Sequence, residues 1–280
     1  MPKDTRGGFP THWITAGSGP REALLIHCSL GHAGGWARMV AGLDDLITGI
    51  AFDLPGHGRS ADWPVQNDDG QGDLQTVSTA MAIDLLDDQM QGRPVDVIGH
   101  SFGGTVALRL AVERPDLVRS LVLIEPVFFA VALADRPELP GRDSAHMIRY
   151  REALQAGDRD AAAQAFTSVW GDGRAWERLP SAQQQAIAAR IHLIEAGAAA
   201  IYDDASGILP SGALERIAVP VLLVQGAQSP ETIQVINDGL ARRIAGSTQA
   251  SVPEAGHMAP ITHPLPVAAL VRDFLNGIAP

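Results

Sequence analysis

The sequence predicts an α/β fold: a mostly parallel sheet with helices on both faces and an inserted helical cap. Three observations carry that expectation. Strand-sized aliphatic runs alternate with helix-like stretches through the first half of the chain. The alternation then stops between Ile124 and Val219, where the sequence turns rich in Ala and Gln. Finally, one strand runs through a glycine-flanked serine directly into a helix. With 280 residues, 46% of them hydrophobic, the chain can bury one substantial core.

The elements follow in order. Met1 to Gly19 lacks the basic-then-apolar pattern of a secretory signal, and no apolar run is long enough to cross a bilayer. Ala23 to Ile26 and Ile47 to Phe52 read as strands, with a helix expected from Trp36 to Leu46 between them. Asn67 to Asp73 is polar and glycine-rich, the composition of a mobile loop. Leu74 to Met90 reads as helix, Val95 to Ile98 as strand, Phe102 to Glu113 as helix and Leu121 to Ile124 as strand. Candidate helices then follow at Ser144 to Gln155, Asp158 to Val169 and Ser181 to Ala196. An insertion at the carboxyl end of a parallel strand lies where ligands bind in open α/β sheets. Residues 127–212 are therefore expected to form a cap over the site, between core segments 1–126 and 213–280. Val219 to Val224, a weaker Thr248 to Val252 and a closing helix from Leu265 to Leu275 complete the pattern.

The formal charge of −11 offers little to phosphate backbones or anionic lipid heads, so neither nucleic acid nor membrane is an expected partner. Cys28 is the single cysteine and can form no internal disulfide, which points to a reducing, cytoplasmic setting.

The chemistry is concentrated at Gly99-His100-Ser101-Phe102-Gly103-Gly104, where a strand turns sharply into a helix with Ser101 on the turn. A serine hydroxyl is a weak nucleophile, so it needs a histidine to take its proton and an acid to orient that histidine. His257 follows the last strand and precedes the closing helix, which suits the order serine, acid, histidine; His263, just before Pro264, is the rival. His57 sits in a tight Pro-Gly-His-Gly turn and reads as a turn residue bonding its own loop. An oxyanion needs backbone N–H donors: Phe102, next after the serine, supplies one, and Ser29 the other, with Leu30 as fallback. Glu125 ends its strand amid apolar residues, where a carboxylate must be paired, and the N–H of His257 is the natural partner. Glu231 has another explanation, as the first-turn acid of a helix capped by Ser229 with Pro230 at its first position. Asp203 and Asp204 are the remaining alternatives, in a loop of the cap.

Together, "IHCSLGHAGGW", "FDLPGHGRS", "VIGHSFGG" and "AGHMAPITHP" resemble the α/β-hydrolase superfamily over nearly the whole chain. The resemblance implies the α/β-hydrolase fold and a serine hydrolase. The first motif usually reads His-Gly in that family, so Cys28 stands in place of a glycine and reads as a small packed side chain. Most members place the acid after the strand corresponding to Val219 to Val224, where this chain reads Gln225 to Glu231 without an Asp. Haloalkane dehalogenases take it from the end of the preceding strand, the place of Glu125, but with an Asp nucleophile instead of Ser101. The expected reaction is hydrolysis of a carboxylic ester of a small, largely apolar substrate through an acyl-enzyme, with no metal or organic cofactor. Leu30, Phe102, Val127, Phe128, Phe129 and Met258 are candidates to line the substrate site. Carbon–carbon bond hydrolysis, lactone or thioester cleavage and acyl transfer use similar sites, and a small-molecule receptor on the same fold is the alternative of another class.

Overall fold

Period-two burial along the central strands builds the molecule. In β4, Ala23 and Leu25 face one side of the sheet while Leu24 and Ile26 face the other, and all four are fully buried. A strand buried on both faces belongs in the middle of a helix-covered sheet. The structure, a computed structural model, describes residues 4–64 and 72–279. Most of the glycine-rich stretch 67–73 lies outside the described residues.

The described residues form nine strands: β1 (Asp4–Arg6), β2 (Phe9–Thr11), β3 (Trp13–Gly17), β4 (Arg21–Ile26), β5 (Ile47–Phe52), β6 (Val95–His100), β7 (Val118–Ile124), β8 (Val221–Gly226) and β9 (Thr248–Val252). β1 and β2 make a hairpin, and the others form one sheet in the order β3-β5-β4-β6-β7-β8-β9. Within that sheet, among the described residues, only the β3–β5 pairing is antiparallel. The helices flanking the first strands are α1 (Ala37–Ala41), α2 (Leu74–Gln89) and α3 (Phe102–Glu113). Between β7 and β8 come α4 (Phe129–Asp135), α5 (Ala145–Gln155), α6 (Arg159–Trp170), α7 (Ser181–Arg190), α8 (Leu193–Ala196) and α9 (Ala198–Tyr202). α10 (Glu231–Arg243), α11 (Ala259–Thr262) and α12 (Pro264–Asn276) close the chain.

One core lies between the sheet and α2, α3, α4 and α10; the other lies beneath α1, α11 and α12. A third, small cluster of Met147, Tyr150, Ala162, Ala163, Ala188, Ile191 and Ile194 sits within the helical segment itself. At the amino edge of the sheet Asp96, fully buried, is held by Arg21 at 2.8 Å, Arg119 at 2.6 Å and the Ser120 hydroxyl at 2.7 Å. Burial pushes that carboxyl up, and the hydrogen bonds from Arg119, Arg21 and Ser120 outweigh it, leaving it below the usual range.

The structure differs from expectation in several elements. The helix expected over Trp36 to Leu46 is a 3₁₀ turn (Ala33–Trp36) and one short α1, because tight turns at Gly42 and Leu43 fold the chain toward β5. The stretch from Ser181 to Ala196 is two helices, α7 and α8, broken at Ile191 and His192. β8 starts two residues later than expected, after Pro220, which has no N–H to give a ladder. β1, β2 and β3 were not anticipated: the first two are three residues each, with Pro10 inside one, and β3 is a half-exposed edge without a clear apolar face.

Candidate active site

Ser101 lies where β6 becomes α3, with φ 55° and ψ −119°, a backbone conformation that a non-glycine residue keeps only when its surroundings enforce it. Its N–H donates to the Ile124 carbonyl at 2.9 Å. The flanking glycines are needed for close approach: a Cβ on Gly99 would lie 2.4 Å from the Gly103 carbonyl oxygen, and one on Gly103 2.2 Å from that of Ile26. The turn thereby carries the Ser101 hydroxyl to the carboxyl edge of the sheet.

There it meets His257, from the loop between β9 and α11, with Nε2 2.9 Å from Ser101 Oγ. His257 Nδ1 lies 3.0 Å from Glu125 Oε2. A carboxylate only accepts, so Nδ1 carries the proton and Nε2 is left to accept from the serine. Glu125, at the end of β7, is fully buried and itself has φ 53°. Its other oxygen accepts from the Gly226 N–H and from the Ser229 hydroxyl at 2.7 Å, so the buried charge is well satisfied. Ser229 is thus not the cap of α10: that position is Pro230, and the hydroxyl is spent on Glu125. Glu231 is exposed in the first turn of α10, Asp203 pairs with Arg142, and Asp204 accepts the N–H groups of Ile208 and Leu209. His263 caps the start of α12, with Nδ1 2.9 Å from the Thr262 hydroxyl.

Sequence reasoning missed three contributors. His100 donates from Nε2 to the His257 carbonyl at 2.9 Å, tying β6 to the histidine loop; burial holds it neutral, with its pKa lowered to about 3. Ser229 is the second. Trp170, at the end of α6, stands edge-on to His257 at 4.8 Å between ring centroids and donates to His146 Nε2 at 3.0 Å. The neighbours of His100 in Gly-His-Ser gave a weak signal; Trp170 gave none, because its contact spans the fold.

The loop after β4 passes close by. Among the described residues the Ser29 N–H has no protein acceptor, whereas the Leu30 N–H donates to His57 Nε2 at 2.9 Å. Leu30 is therefore excluded as the fallback donor. His57 does bond its own turn, through Nδ1 to the Pro55 carbonyl at 2.8 Å, and reaches this loop in addition. Cys28 is packed away, with burial pushing its thiol up to about 12.

A cavity over Ser101 and His257 is walled by Phe102, Val127, Phe129, Trp170, Tyr202 and Met258, with Arg142, Arg151 and Glu195 also on its lining. A larger, more open cavity adjoins it and shares Cys28, Ser29, Phe166, Trp170 and Met258; Leu30 lines this second one. Phe128 does not face either: it is 1% exposed and packs into the main core, because consecutive residues entering α4 point in different directions. Phe129 instead stacks on Tyr202 at 4.6 Å. Among the described residues no group of three or more His, Cys, Asp or Glu is disposed to hold a metal, and no helix is long and apolar enough to cross a membrane.

Comparison with known proteins gives the family. A family profile described as alpha/beta hydrolase fold matches residues 24–264. Lipase LipV of Mycobacterium tuberculosis is 31% identical, over 92% of this chain and 95% of its own. A pimeloyl-acyl-carrier-protein methyl ester esterase of Methylococcus capsulatus is 27% identical, over 93% of this chain and 96% of its own. Among solved structures, Cfl2 of Burkholderia cenocepacia superposes with a TM-score of 0.75 at 26% identity, over 97% of this chain and 94% of that chain.

Proposed function

The chain belongs to the alpha/beta hydrolase fold family and is an ester-hydrolysing enzyme, and on that premise we propose that Ser101, His257 and Glu125 are its catalytic triad. The observation that carries the reading is the unbroken hydrogen-bonded line from Ser101 Oγ through both nitrogens of His257 to Glu125. Ser101 Oγ attacks the ester carbonyl carbon as its proton passes to His257 Nε2. The charge left on the carbonyl oxygen is taken by the N–H groups of Ser29 and Phe102. The tetrahedral species collapses as His257 returns the proton to the leaving alcohol, forming the acyl-serine. Water, deprotonated by the same nitrogen, then releases the carboxylic acid and restores Ser101. Glu125 accepts the Nδ1–H and steadies the imidazolium that forms in each half.

The helical segment 127–212 serves as a cap. Its Phe129, Trp170 and Tyr202 supply apolar walls suited to a small, largely apolar ester arm, together with Met258 from the core. No step calls for a metal or organic cofactor, so incubation with EDTA should leave kcat unchanged. The lone buried Cys28 fits a cytoplasmic setting.

The test is covalent labelling together with turnover. A fluorophosphonate should add to the wild-type protein and leave Ser101→Ala unmodified in intact mass, while a panel of nitrophenyl esters should be cleaved by the first and not the second. Labelling or turnover that survives the substitution places the nucleophile elsewhere.

A further inference from the structure

The loop that carries the Ser29 N–H is held from outside the reacting centre, and we propose that His57 is a positioning residue: by accepting the Leu30 N–H it aims the neighbouring Ser29 donor at the oxyanion. The inference rests on reading Ser29 and Phe102 as the oxyanion donors.

The geometry of two successive peptide planes carries it. Ser29 N–H shares a plane with the Cys28 carbonyl, and in a trans peptide the two point in opposite directions. That carbonyl is fixed on one side by His27 Nδ1–H at 2.7 Å and by the Gly31 N–H at 3.1 Å, so the Ser29 N–H is turned to the other. The next plane, between Ser29 and Leu30, is pinned from its far side by its N–H, which donates to His57 Nε2 at 2.9 Å, so the turn from Cys28 to Gly31 that carries the Ser29 donor is held at both of its central peptides. Leu30 pays for this arrangement with φ 64°, a conformation a leucine holds only when its contacts enforce it.

His57 is built to accept. Its Nδ1–H is committed to the Pro55 carbonyl at 2.8 Å, which leaves the Nε2 lone pair for Leu30. His27 has the same tautomer, since its Nε2 accepts from the Leu54 N–H at 3.0 Å, and the two rings meet edge-on at 5.2 Å. Asp53 ties the same two loops together, accepting the N–H of Ala33 at 2.6 Å and of Arg59 at 2.9 Å. Burial holds both imidazoles neutral, His27 at about 4 and His57 at about 3. His57 lines neither cavity, so it influences the ester only through the loop.

His57→Phe, which keeps a ring and removes the acceptor, and His57→Gln, whose amide oxygen can accept, test this. Each is measured for kcat and KM on a nitrophenyl ester, for Tm, and for inhibition by a trifluoromethyl ketone, whose serine adduct carries the oxyanion. His57→Phe should lower kcat about 10–100-fold with KM within about threefold, and weaken the ketone by the same factor as kcat. His57→Gln should restore both to within about fivefold of wild type. A folded His57→Phe with wild-type kcat, or a fall in kcat without the matching loss of ketone affinity, overturns the proposal. If His57→Phe does not fold, His57→Gln decides alone: a larger loss at wild-type Tm overturns the proposal. The reading of the site fails separately, and this proposal with it, if the ketone does not inhibit wild type or if Ser101→Ala remains active.

Discussion

Glu125 illustrates how one residue's environment assigns its chemistry. Its carboxylate is fully buried, yet it receives the Gly226 N–H, the Ser229 hydroxyl and the His257 Nδ1–H, three donors in all. The loop after β8, where the family resemblance puts the acid in most members, here supplies the donors instead. Glu125→Gln keeps the shape and removes the charge proposed to steady the imidazolium, and should lower kcat by about a thousandfold or more while Tm shows a folded protein. Ser229→Ala removes one of the three donors and should cost about 1 kcal/mol in the barrier, roughly a fivefold fall in kcat. Glu231→Gln should leave kcat unchanged and alter stability by only a few tenths of a kcal/mol. Steady-state kinetics on the three variants checks the order; a larger effect at Glu231 than at Glu125 moves the acid to the later loop.

Among the elements, the start of α4 sends one aromatic into the core and the next to the cavity wall. Phe128 is buried in the main core and Phe129 faces the cavity, stacked on Tyr202 of α9 and edge-on to Trp170 of α6. Phe128→Ala should destabilise by about 3 kcal/mol or more with an unchanged ester-length profile. Phe129→Ala should shift preference toward longer acyl chains, read as kcat/KM across esters of graded length; the reverse pattern would exchange their roles. That difference was not legible in the sequence, where both are aromatic residues after a strand. What was legible had local causes: the apolar runs of β4, β6 and β7, and the Gly-flanked Ser101 at a strand-to-helix turn. Trp170 and Ser229 were hidden because their partners, His257 and Glu125, lie 87 and 104 residues away in the chain. The edge strand β3 was hidden because half-exposure on both faces erases the alternation that marks a strand.

For the molecule as a whole, the acid limit of stability should be set first by its buried imidazoles. His27, His57 and His100 are almost fully buried around the carboxyl edge of the sheet, and burial lowers them from an ordinary value of 6.5 to about 4, 3 and 3. Asp53 opposes that shift for His27 and His57, but burial outweighs it. A group lowered in the folded state binds protons more readily once unfolded. Its stabilising contribution is therefore complete above pH 6.5 and is lost as pH falls from there toward the folded value. The buried carboxylates act later: Asp53 and Asp96 are held below 3.8, so their contribution is lost progressively below about pH 5. The interval from about pH 6.5 to 5 thus falls chiefly on the histidines, and Tm should fall by several degrees across it. His57→Gln retains an acceptor for Leu30 without a group that protonates, so its Tm should fall less steeply over the same interval. Calorimetry of both proteins from about pH 7 to 5 tests this, and equal slopes would show that protonation of His57 does not limit the fold.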